Sequence, residues 1–263
     1  MPLRAKGFTV VELIFALGLL AVVMTAAGRL LLNQGRFYRE LGQHADLDDE
    51  LRAGAEILAG DLWGLDAREG DILAFGSDSI RIRAQRVFSI VCGTAGGSLL
   101  LRKVLTFGVR DAGAGDSVLV YAGADSGWKA GVVTSGPASA SCPDSTLAQR
   151  VAVSFAGPLP SVGAPLIAYE VVTYRSYRAS DGAYYLGLRD AGTLQPLAGP
   201  LAPAGLLLTF FDSTGAPARA ARDVNAIRIR LRLLSAEPFT RRGVTALLDD
   251  SVVSWVTLRN NLR

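Results

Sequence analysis

Gly7-Phe8-Thr9-Val10-Val11-Glu12-Leu13-Ile14-Phe15-Ala16-Leu17-Gly18-Leu19-Leu20-Ala21-Val22-Val23 begins an apolar run in which Glu12 is the only ionisable side chain between Phe8 and Gly28. As a helix rising about 1.5 Å per residue, the run is long enough to cross the roughly 30 Å hydrocarbon core of a bilayer. It reads as a membrane span. A carboxylate at the centre of such a helix costs roughly 2.5 to 3.5 kcal/mol on insertion scales, and somewhat less near the interface. Glu12 therefore calls for a partner.

Ahead of the run, Met1 to Gly7 carries Arg4 and Lys6 and ends in a small residue. A secretory signal peptide places its small-residue cleavage site after the apolar stretch, whereas here the Gly precedes it. A cut between Gly7 and Phe8 keeps the helix in the mature chain and makes Glu12 its fifth residue. A short basic leader, a Gly-Phe junction and this Glu together resemble the amino-terminal signature of the type IV pilin-like proteins. The resemblance implies that a prepilin peptidase cuts after Gly7 and that the new amine of Phe8 is methylated. It also implies that Glu12 pairs with the Phe8 amine of a neighbouring subunit as helices bundle into a filament. Before assembly the chain would sit in the bacterial inner membrane as a single-pass protein with its head in the periplasm. The plainer alternative is a signal anchor whose Glu12 reaches toward the headgroups.

The chain of 263 residues has room for one moderate globular domain beyond the anchor, or two small ones. Its formal charge is +3, but loss of Arg4 and Lys6 leaves 25 basic against 24 acidic side chains. A nearly neutral mature protein gives little footing for a polyanionic partner. Cys92 and Cys142 are the only cysteines, both far beyond the span. Outside the cytoplasm they are expected to form a disulfide, with two buried free thiols as the alternative.

The predicted organisation is a leader at 1–7, a membrane and filament-core helix at 8–28 and an amphipathic continuation at 29–64. A β-rich head follows at 65–263, with 93–143 as a candidate insertion. Between Arg29 and Gly64, Phe37, Leu41, His44, Leu51, Ala55, Leu58 and Leu62 recur at three- and four-residue steps. No proline stands between Leu3 and Gly136 to kink the helix. Gly28, Gly35 and Gly42 repeat every seven residues, which either permits close helix approach or merely weakens the helix. His44, the only histidine, reads as a packing residue. Asp46, Asp48, Asp49 and Glu50 read as a solvated face, without the Gly turn of a calcium loop.

Beyond the helix the pattern changes to period two, in Ile80–Arg83, Ser117–Tyr121 and above all Ile227–Leu233. The segments 170–178 and 183–189 flank Ala179-Ser180-Asp181-Gly182 as a hairpin, and 206–211 leads into the turn Asp212-Ser213-Thr214-Gly215. Gly- and Pro-rich stretches at 131–143, 157–165 and 196–205 read as loops. The expected fold class is α+β: a long N-terminal helix packed on an antiparallel β-sheet head. The order of strands and turns, together with Val256-Thr257-Leu258-Arg259-Asn260, is similar to minor pilins of the pilus-assembly W type, relatives of the type II secretion pseudopilin J. The central Cys pair departs from the major pilins, which end in a disulfide-bounded loop.

Catalysis has little support, because one histidine on a long helix cannot assemble a nucleophile, base and orienter. No cofactor or metal site is expected, and tyrosines 169, 174, 177, 184 and 185 read as cross-strand packing. The expected function is a structural minor pilin or pseudopilin whose partners are the prepilin peptidase, other pilins and the inner membrane. The main competitor is DNA capture by Arg228, Arg230 and Arg232 on one strand face, with Arg81 and Arg83 on another. Against it, such charges also occur on the solvent face of an ordinary sheet. A membrane-anchored secreted enzyme is a further alternative.

Overall fold

The computed structural model describes residues 9–108, 110–122, 127–190, 192–241 and 244–259. A single helix, α1 (Val10–Trp63), precedes all the strands. The chain divides into two compact units, one of residues up to 49 with 235–248, the other of 50–234 with 249–263. In the first unit α1 presents an apolar surface to its surroundings, with Val10, Phe15, Leu19 and Val22 all more than 65% exposed. The same unit holds the short hairpin β12 (Phe239–Arg241) and β13 (Val244–Ala246), counted here in chain order. Its base is closed by the Ser235 N–H donating to the Leu248 carbonyl at 2.9 Å.

In the second unit, the last part of α1 packs on an antiparallel sheet. Leu51, Ala55, Leu58 and Leu62 are buried, following the three- and four-residue spacing expected from the sequence. Each large side chain so buried contributes about 1.5–3 kcal/mol. The upper members of that predicted stripe, Phe37, Leu41 and His44, are exposed instead. At Gly54 helix and sheet lie close, for a Cβ there would stand 2.9 Å from the Ala198 Cβ.

The strands are β1 (Ile72–Gly76), β2 (Ser79–Ala95), β3 (Ser98–Arg102), β4 (Phe107–Gly108), β5 (Ser117–Ala122), β6 (Gly127–Ser141) and β7 (Leu147–Phe155). They continue with β8 (Pro165–Arg178), β9 (Tyr184–Asp190), β10 (Thr193–Phe211), β11 (Ala226–Leu234) and β14 (Asp249–Thr257). Their order is β1-β2-β3-β7-β6-β5-β8-β9-β10-β11-β14, with β4 beside β2 and a further pairing of β2 with β8. That extra pairing closes β2, β3, β7, β6, β5 and β8 into a six-stranded antiparallel barrel. Its interior is filled by Val87, Val91, Leu99, Leu101, Val118 and Leu166, among others.

Strand β2 belongs to both halves of this architecture. Residues 79–85 pair with 169–175 under the helix, then the register shifts between Gln85 and Val87, and Val87 to Ile90 pair with 165–168 as a barrel wall. The extra residue at this bulge is Arg86. The predicted insertion, 93–143, supplies β3 to β6 and is joined to the rest through β2, β8 and β7, the last pairing with both β3 and β6.

The two predicted hairpin features occur where expected. Strands β8 and β9 pair around the turn containing Gly182, and β10 leads into the turn in which Asp212 caps Thr214 and Ala216. Two of the three predicted loops are strands. Residues 131–141 lie in β6 and 196–205 in β10, with irregular register between Ser135 and Ala138 and between Leu201 and Leu206. Bulges accommodate prolines that cannot donate to a ladder. The glycines are required by contact: a Cβ on Gly136, whose φ is +121°, would stand 2.8 Å from the Arg150 carbonyl oxygen.

Candidate functional site

Gly7 and Phe8, the predicted cleavage and methylation positions, lie outside the described residues. The next residue, Thr9, is the N-cap of α1, and Glu12 stands at the third helical position. The Thr9 N–H donates to Glu12 Oε2 at 2.9 Å, the Thr9 hydroxyl donates to the same oxygen at 3.1 Å, and the Glu12 N–H donates to Thr9 Oγ1 at 3.3 Å. This is a capping box, which satisfies otherwise orphaned N–H groups reciprocally. The pattern Thr-x-x-Glu before an apolar run is the sequence signal for it. Glu12 is thus already hydrogen-bonded within its own chain.

From Val10 onward α1 is long and apolar enough to cross a membrane, and its most apolar window is entirely unburied. Such a surface is stable only in lipid or against other apolar surfaces.

Cys92 and Cys142 are disulfide-bonded, with Cα atoms 5.7 Å apart. They pack with Leu100 and Ala148 in a small cluster beside the barrel core. The bond joins β2 to the residue that follows β6.

Of the arginine stripe on β11, two members are engaged within the chain. Arg228 lies 5.8 Å from the Phe211 ring centre and 5.7 Å from that of Trp255, and donates to the Thr209 hydroxyl at 3.3 Å. Arg232 forms an ion pair with Asp249, which raises its pKa. Arg230 is exposed and has no ion-pair partner among the described residues. On β2, Arg83 lies 5.6 Å from the Tyr169 ring centre. The tyrosines pack as predicted in one respect, Tyr177 facing Tyr185 across β8 and β9 with ring centres 6.1 Å apart.

A larger polar cluster joins the end of α1 to the head, and the sequence did not signal it. Arg86 makes a two-pronged ion pair with Asp61 at 2.7 and 3.0 Å and donates through Nε to Glu170 at 2.8 Å. Arg110 bridges Glu170 and Asp116, each at 2.6 Å. The Tyr174 hydroxyl donates to Asp61 Oδ2 at 2.6 Å. Burial pulls the Arg86 guanidinium down, but the hydrogen bonds it donates to Asp61 and Glu170 outweigh it and its pKa is raised. Burial pushes Glu170 and Asp116 up, yet their arginine partners hold both below the ordinary carboxylate range. Burial first, then the Asp61 charge, raises the Tyr174 phenol. Every member is a fixed ionic or hydrogen-bonding partner, so the cluster suits anchoring the helix end rather than proton transfer.

Among the described residues no group of three or more His, Cys, Asp or Glu is arranged to hold a metal. Comparison with known family models, characterised proteins and solved structures finds no match.

Proposed function

We propose that this chain is a minor pilin or pseudopilin, a structural subunit of a type IV pilus-like filament. Prepilin peptidase removes residues 1–7, the Phe8 amine is methylated, and α1 holds the chain in the inner membrane with its head in the periplasm. Assembly then transfers the apolar part of α1 from lipid into a bundle of like helices, where Glu12 meets the amine of a neighbour. The observation that carries this reading is a continuous helix whose exposed apolar half contains one carboxylate, satisfied only by local contacts with Thr9. Those contacts keep the charge tolerable in the monomer and leave it exchangeable for a stronger, oppositely charged partner. The disulfide fits a head outside the cytoplasm.

The decisive experiment is mass spectrometry of the membrane-extracted protein made with its cognate prepilin peptidase, for wild type and Gly7→Ala. A chain beginning at methylated Phe8, with processing blocked by the substitution, is the expected result. A chain that keeps Arg4 and Lys6, or is cut beyond Met24, overturns the assignment.

A further inference from the structure

The outer face of the head carries a cleft of about 1080 Å³ that plays no part in the proposed filament chemistry. Its floor is the non-core side of β2, β8, β5 and β6. Phe88, Ile167 and Leu119 stand in register across three of these strands, and Tyr121 faces Trp128 across the next pair. The Tyr121 and Trp128 rings meet edge to face with centres 5.7 Å apart, and Trp128 remains 37% exposed. The wall is polar: Asp66, Glu69 and Asp71 from the turn after α1, with Gln85 and Arg83 from β2. The Arg83 guanidinium is held there by the Tyr169 ring and by donation to the Glu69 carbonyl at 3.4 Å. Arg259 completes the lining, its guanidinium 4.9 Å from the Trp63 ring centre.

We infer that this cleft binds an uncharged oligosaccharide. A sugar ring has C–H faces that lie on aromatic and aliphatic side chains and a rim of hydroxyls that donate and accept at once. The floor matches the faces. The wall supplies the rim with carboxylates that accept, a guanidinium that donates and the amide of Gln85, which does both. Two competing ligand classes fit less well. Phosphate chains meet three carboxylates, Asp66, Glu69 and Asp71, against the two guanidiniums of Arg83 and Arg259, so the lining as a whole does not attract them. An apolar peptide would cover the wall without satisfying it, at about 1–3 kcal/mol for each polar group left unpaired.

The test is titration of the full chain in lipid nanodiscs with chitotetraose, maltotetraose and cellotetraose, followed by calorimetry. The variants are Trp128→Ala, Trp128→Phe and Gln85→Leu, each checked for unchanged melting temperature because both side chains are exposed at the surface. At least one tetrasaccharide is expected to bind. Trp128→Ala should weaken it about tenfold or more, which corresponds to ~1.4 kcal/mol, whereas Trp128→Phe should stay close to wild type. Absence of binding by all three sugars up to about 10 mM, a range that registers even weak sites, overturns the inference. So does binding that Trp128→Ala leaves unchanged, or binding of a thymidine dodecamer in place of the sugars. Neither the helix nor Glu12 enters this test, so its outcome is separate from that of the filament reading.

Discussion

Glu12 serves two partners in turn under the proposed function, and the capping box offers a way to separate them. Glutamine fills the third position of a capping box as glutamate does, but it carries no charge. Glu12→Gln is therefore expected to leave the helix content of the monomer unchanged while abolishing incorporation into filaments. Thr9→Ala, which removes the cap, should cost about 1 kcal/mol of helix stability. Circular dichroism in nanodiscs, set beside filament yield, distinguishes the two roles, and filaments of normal yield from Glu12→Gln would rule out charge pairing as the docking device. The Arg86 cluster gives a second expectation at this scale, in acid. Glu170 and Asp116 have folded-state pKa values below their ordinary ones, so they bind protons more weakly folded than unfolded. Their stabilisation is complete above the pH at which unfolded carboxylates ionise, about 4, and is lost as the pH falls through the folded-state values. Glu170→Gln should be less stable at neutral pH and lose less stability between pH 5 and 3. Asp71, which burial raises, acts in the opposite sense and is common to both proteins. Parallel stability curves for wild type and variant would remove Glu170 from the acid response.

At the level of elements, α1 contains glycines of two kinds. A Cβ on Gly54 would meet Ala198 at 2.9 Å and Leu231 and Leu186 at 3.6 and 3.7 Å, whereas Gly28, Gly35 and Gly42 have nothing within 4 Å. Alanine at position 54 gains about 1 kcal/mol of helix propensity but overpacks the sheet contact at a cost of about 1–3 kcal/mol. Gly54→Ala should therefore lower the melting temperature, while Gly35→Ala should leave it equal or higher; the reverse ordering would contradict the packing described. The core face of α1 near Leu51–Leu62 and the strand Ile227–Leu233 were legible in the sequence because their periodicities are local and unbroken. Strand β6 and the middle of β10 were not, because their glycines and prolines carry a loop signal that bulged pairing overrides. Closure of the barrel depends on β2 meeting β8 some 84 residues away, as Arg86 meets Glu170, and no local pattern encodes that. The site divides likewise. Glu12 announced itself as a lone carboxylate, and the cysteines as a pair, while the Asp61–Arg86 contact and the aromatic floor of the cleft arise only from strand register.

For the molecule as a whole, the disulfide closes a loop of 50 residues around the barrel strands and is worth roughly 4 kcal/mol by the chain-entropy estimate. Replacing both cysteines by serine should lower the melting temperature by on the order of 10 °C, as read by calorimetry. An unchanged melting temperature would show that the barrel is held by its core alone. Under the proposed function the chain also has to carry tension, and the bend that the bulge at Arg86 puts into β2 decides how it does so. Pull entering through the end of α1 reaches the sheet at Leu51–Leu62 and at the grip of Asp61 on Arg86, which sits at the bend, while Cys92 lies on the barrel side of it. The first rupture under force should then occur at the same force whether or not the disulfide is present. The difference comes afterwards: with the bond intact, about 170 Å of chain stays reeled in, at roughly 3.4 Å per residue of the closed loop. The oxidised head thus yields under strain yet cannot be drawn out to its full length.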